Sequence, residues 1–127
     1  EGFGADIERG WGRRRTVMRD YMFDPINLTG TMRTGPDLAN IGARQPSRTW
    51  QYLHLYNPVI TSPGSIMPPH PFLFTVGADA APPPDAVALP KEWQTPTAKY
   101  IIPNSRGRFL VDYLMSLDKS VDLPEAQ

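Results

Sequence analysis

The sequence predicts a mostly α chain of few short helices joined by long Pro/Gly-rich loops, and three observations lead there. Fifteen prolines and ten glycines stand among 127 residues. Proline removes a backbone donor and both residues punctuate regular structure, so neither long unbroken helices nor a broad sheet is expected. Two segments, residues 50 to 57 and 108 to 117, still carry residues at helical spacing, and an apolar fraction of 40% supports a core.

Taken in order, residues 1 to 15 are Gly-rich and then basic, ending in Arg13-Arg14-Arg15, which reads as a solvated loop. Thr16 to Phe23 suits a short strand or one turn of helix, closed by Asp24-Pro25, and Leu28-Thr29-Gly30 reads as a turn. Gly35-Pro36-Asp37-Leu38 forms a tight turn leading into one helical turn at Ala39 to Gly42. Pro46-Ser47 then supplies an N-cap for the clearest helix, which Pro58 ends, with Trp50, Leu53 and Tyr56 expected to face inward. Five prolines between residues 58 and 74 make that segment an extended, stiffened loop whose tail, Phe72-Leu73-Phe74, is apolar enough to dock. Residues 77–96 read as a Pro-rich surface excursion with polyproline character. Phe109, Leu110, Tyr113, Leu114 and Leu117 then mark an amphipathic helix, and a frayed tail follows from Asp118. Residues 1–127 are expected to form a single domain.

Thirteen basic residues balance thirteen acidic ones, so phosphate-backbone binding is disfavoured and no nucleic-acid partner is expected. The chain has no cysteine, which excludes disulfides, thiolate metal sites, a cysteine nucleophile and thioether attachment of a cofactor within it. No apolar run approaches the roughly 20 residues of a membrane span, so the chain is expected to be soluble, or the soluble part of something larger. Hydrolase and transferase signatures are missing too: there is no Gly-x-Ser-x-Gly, phosphate-binding glycine loop or metal-spaced histidine pair, and no catalytic residue is assigned. Asp20, Asp24 and Asp37 serve equally well as turn and capping residues.

Met67, in Ser65-Ile66-Met67-Pro68-Pro69, is the residue with most chemistry to offer. A thioether on a proline-stiffened loop is one way to fix a soft sulfur ligand over haem iron, although a methionine is more often an apolar plug. Three runs occur in order: Arg33-Thr34-Gly35-Pro36-Asp37-Leu38-Ala39-Asn40-Ile41-Gly42, then Trp50 with His54-Leu55-Tyr56-Asn57-Pro58, then Ser65-Ile66-Met67-Pro68. Together they resemble the mono-haem cytochrome c subunit of cbb3-type cytochrome c oxidases, closely over residues 19 to 74 and loosely over the last helix.

That resemblance implies a cytochrome c-like domain that relays electrons from a donor cytochrome c toward the oxygen-reducing catalytic subunit of a membrane oxidase. It implies haem c as cofactor in the full-length protein, on the periplasmic or extracytoplasmic side and membrane-anchored. Met67 would be the axial ligand of the haem iron. The carbonyl of Pro36, in the Gly35-Pro36 turn, would accept the ring N–H of the proximal histidine. Leu38, Ile41, Trp50 and Leu53 would line the haem face, Pro68 would stiffen the ligand loop, and Arg33 would pair with a propionate. The family's Cys-x-x-Cys-His segment is missing, so this chain would lack its haem attachment; a fragment truncated after that motif is a simpler expectation than evolutionary loss. Neither His54 nor His70 restores the motif. The alternative is a haemless structural or docking module of a respiratory complex. On the haem reading, an apo chain would be loosely packed or would self-associate through its exposed pocket.

Overall fold

The computed structural model describes residues 5–10, 16–29 and 34–120. Its elements in chain order are α1 (Ala5–Glu8), α2 (Ile41–Arg44), α3 (Arg48–Tyr56), β1 (Phe74–Gly77), β2 (Val87–Ala88), β3 (Tyr100–Pro103) and α4 (Ser105–Ser116). Turns of 3-10 helix stand at Met18–Tyr21, Pro58–Ile60, Pro71–Leu73 and Lys91–Trp93. The chain divides into two units, Ser47–Tyr113 on the one hand and Glu1–Pro46 with Leu114–Gln127 on the other.

The mostly α expectation is corrected by the larger unit, whose core is built on a three-stranded antiparallel sheet of order β1-β3-β2. Among the described residues only α3 and α4 exceed a single helical turn, at 9 and 12 residues. Proline and glycine shorten the helices as expected. They do not forbid short strands, which need only a few residues of extended backbone. Phe74 lies opposite Pro103 and Gly77 opposite Tyr100, while Val87 faces Ile101 from the other side. Lys99 N–H donates to the Gly77 carbonyl at 2.8 Å, and Leu89 N–H donates to the Lys99 carbonyl at 3.0 Å, prolonging both ladders. Strand β2 therefore sits inside the segment 77–96, and Leu89 just beyond it is buried.

Ile101 at the centre of the sheet and Val111 on α4 are both 0% exposed, and Leu55, Leu73, Phe74, Leu89 and Tyr100 pack into the same core. Helix α4 begins where Asn104 accepts the Gly107 N–H on its side-chain oxygen at 3.0 Å, a capping bond. Asn104 also donates its backbone N–H to the Leu73 carbonyl at 2.9 Å and its amide to the Phe72 carbonyl at 3.0 Å. One side chain thus starts the helix and ties it to the loop before β1. Glycine at 107 allows the close approach: a Cβ there would stand 2.9 Å from the Leu73 carbonyl oxygen.

Helix α3 starts at Ser47, whose hydroxyl accepts the Trp50 N–H at 3.2 Å, and ends at Asn57 before Pro58. Its buried residues are Gln51 and Leu55, not the expected Trp50, Leu53 and Tyr56, which are half-buried. Tyr52 and Tyr56 instead set their rings edge-on to Phe74, with centroids 6.2 and 5.7 Å away. On α4 the expected inward residues Phe109 and Tyr113 are exposed, and Gly107 and Val111 are the buried ones.

The smaller unit is organised around Asp37. Its carboxylate accepts the Thr16 N–H at 2.9 Å, the Thr16 hydroxyl at 2.8 Å and the Ala39 N–H at 3.0 Å. Asn40 accepts the Lys119 N–H at 2.7 Å, and Gly42 N–H donates to the Leu117 carbonyl at 2.9 Å, so residues 117–119 are bonded to the turn before α2 and to its start.

Candidate functional site

The sequence-predicted residues are divided between the two units. In the smaller one, Gly35, Pro36 and Leu38 are exposed, and Ile41 is buried in the first turn of α2. The Leu38 carbonyl accepts the Ile41 N–H at 3.0 Å, so the Gly35-Pro36-Asp37-Leu38 turn passes directly into that helix. Arg33 lies outside the described residues.

Trp50, Leu53, Met67 and Pro68 belong to the larger unit, where the geometry is densest around the loop between α3 and β1. The loop leaves α3 through a 3-10 turn started by Asn57, whose side-chain oxygen accepts the Val59 N–H at 3.3 Å. Ser62 N–H donates to the Pro58 carbonyl at 2.9 Å, and Ser65 N–H to the Ser62 carbonyl at 3.0 Å. Gly64 between them has φ 81°, a left-handed conformation that a side chain rarely adopts. Met67 follows, with its N–H directed to the Ser65 hydroxyl at 3.3 Å. The loop returns to the helix at His70, whose N–H donates to the Leu55 carbonyl at 2.9 Å.

Both ends of the loop are therefore bonded to the last turns of one helix, and its apex carries a half-buried thioether. Prolines 68 and 69 follow that sulfur-bearing residue and fix two backbone φ angles. Such a loop loses little further freedom when the sulfur meets a ligand-binding partner.

His54, in the last turn of α3, adds a side-chain anchor. Its Nδ1 stands 2.6 Å from the Thr61 hydroxyl, and its ring stacks on Trp50 with centroids 4.5 Å apart and planes 11° from parallel. His70 has its Nδ1 enclosed without a hydrogen-bond partner. The family resemblance assigned Trp50 and Met67 but gave His54 no role; its pairing with Thr61 spans seven residues and a turn, which no local pattern announces.

The donors of this chain meet the demands of a haem group on one side only. A soft thioether on a clamped loop suits a low-spin haem iron. Thioether attachment needs cysteine thiols, and these 127 residues contain none. Among the described residues no group of three histidine, cysteine or acidic side chains converges as a metal site, and no helix is long and apolar enough to cross a membrane.

Residues 3–113 match the family model described as cytochrome C oxidase, mono-heme subunit/FixO. No curated protein and no solved structure matches the chain significantly.

Proposed function

Given that the chain belongs to the FixO family of mono-haem cytochrome c oxidase subunits, we propose that it forms the methionine side of an electron-transfer domain serving a terminal oxidase. The domain passes electrons from a donor cytochrome c toward the oxygen-reducing subunit, on the extracytoplasmic face of the membrane. The observation that carries this reading is the clamped loop: Met67 stands between two anchors on α3, at Thr61 and His70.

In this reading Met67 would offer its thioether to the haem iron, Pro68 would hold the backbone beyond it, and Trp50 and Leu53 would supply half-buried apolar surface from α3. When bound, haem c supplies a one-electron carrier whose potential a methionine ligand raises. The loop's own contribution is to hold the sulfur in one place in both redox states. Thioether attachment would need cysteine thiols, which these 127 residues do not contain. A second reading, a haemless docking module in the same complex, draws on the lack of cysteine.

Intact mass and visible spectra of the natural protein from its source separate the two. A haem mass increment with c-type bands supports electron transfer; a colourless protein of unmodified mass supports docking. In a coloured protein, Met67→Ala should abolish the sulfur-to-iron charge-transfer band of the oxidised state and lower the midpoint potential. An unaltered spectrum in that variant removes Met67 from the iron.

A further inference from the structure

We propose that His54 is a positioning residue for Met67, holding the first turn of the methionine loop against α3 through the hydrogen bond between its Nδ1 and the Thr61 hydroxyl. This inference rests on the Met67 reading for its functional meaning and on the following geometry for its substance.

The Thr61 hydroxyl lies 3.3 Å from the Pro58 carbonyl oxygen, which also accepts the Ser62 N–H at 2.9 Å. His54 Nδ1 approaches the same hydroxyl at 2.6 Å, the shorter of its two contacts. Two further constraints fix the ring. Its face lies against Trp50 at 4.5 Å, nearly parallel, so the plane cannot rotate without losing that stack. The side chain also springs from the last turn of α3, next to Leu55, whose carbonyl holds the other end of the loop through His70 N–H.

The two anchors are thus adjacent residues of one helix, and they reach opposite ends of the segment 61–70. Between them the backbone runs through Ser62, Gly64 and Ser65 to Met67 by bonds of 3.0 to 3.3 Å. Removing the His54 anchor frees the entry to this chain of bonds while leaving the exit at His70 in place. The sulfur would then sample a wider arc without the loop unfolding.

The test is amide hydrogen exchange on the 127-residue chain, comparing Ser62, Ser65 and Met67 with Ile101 and Val111. Loss of one net hydrogen bond, about 1.4 kcal/mol or a factor of ten, sets the scale. His54→Gln and Thr61→Val should each speed exchange at the three loop amides about tenfold and leave Ile101 and Val111 unchanged. His54→Asn places an amide nitrogen where Nδ1 stands, and Thr61→Ser keeps the hydroxyl, so both should restore most of the protection.

Equal behaviour of His54→Asn and His54→Gln, or unchanged loop exchange in His54→Gln, would overturn the proposal. Unchanged exchange at Ile101 and Val111 shows that a variant has folded, so loss of the whole structure is not mistaken for loss of the anchor. The Met67→Ala spectrum of the natural protein tests the ligand reading separately: it can fail with the anchor intact, and the anchor can fail with the ligand in place.

Discussion

The ring of Tyr100 lies over Gly77 on the neighbouring strand, so near that a Cβ on Gly77 would overlap the far edge of the ring. Tyr100 is itself buried, so its ring cannot swing into solvent to make room. Gly77→Ala should therefore lower the stability of the larger unit by about 1–3 kcal/mol, the usual cost of overpacking. Urea unfolding followed by tyrosine fluorescence measures it. Pairing the change with Tyr100→Leu, which shortens the offending side chain, should recover part of the loss.

A similar constraint governs the smaller unit at Gly42. A Cβ there would collide with the Met115 carbonyl oxygen and stand 3.0 Å from that of Leu117. Both are backbone atoms, which yield less easily than a side-chain tip. Gly42→Ala should break the Gly42 N–H to Leu117 bond and release residues 117–119. Limited proteolysis should then cut near Asp118 faster, with the amides of the β-sheet as protected as before.

Ser47 caps α3 through one bond to Trp50 N–H. Ser47→Ala should cost about 1 kcal/mol, and Ser47→Asp should recover it, because the aspartate oxygen accepts the same donor and its charge suits a helix N-terminus. Thermal melts of the three chains give the comparison directly.

Asp118 titrates below the ordinary aspartate value of 3.8, chiefly because the Ser120 hydroxyl bonds to its ionised carboxylate, with the Ser120 backbone N–H adding a smaller share. A depressed carboxyl favours the folded arrangement above its unfolded value and loses that contribution as pH falls through the folded one. Ser120→Ala should raise the Asp118 midpoint part of the way back, since the backbone bond at 2.8 Å remains. A carboxyl 13C titration resolves the two portions.

Arg48 and Asp112 pair across the larger unit with both side chains about half exposed. The hydrogen bond to Asp112 holds the guanidinium above its usual range, followed by the charge attraction itself. Solvent screens such a pair, so Arg48→Gln should cost no more than about 0.2–1 kcal/mol, and the difference should shrink in high salt.

The helices were legible because their ends are written in local chemistry: Ser47 and Pro58 bound α3 within a residue, and the apolar run after Arg108 marked α4. Their buried faces were less so. Gln51 counts as polar in any periodicity, yet it is 3% exposed, while Phe109, counted as apolar, is 71% exposed. The sheet escaped notice for a different reason. Strand β2 has two residues, and β1 pairs with a strand 26 positions later with no hairpin turn between them, so no short window contains both partners. Phe74-Thr75-Val76 and Tyr100-Ile101-Ile102 were the available signals, each an aromatic followed by β-branched residues. The methionine loop was legible from its prolines. Its anchors at His54 and Leu55 were not, since they arise only when the loop folds back on the helix.

The central strand of the sheet is also the last to be synthesised. Until Tyr100–Pro103 emerges, β1 and β2 have no partner between them, and both edges stand open to pairing with other chains. Ribosomal pausing before residue 103 would thus be the vulnerable interval for this protein. Residues 78–86 bear little of that burden: lengthening this stretch only delays closure, at about 0.6 kcal/mol per doubling of the loop, so variation in its length should be borne with little loss.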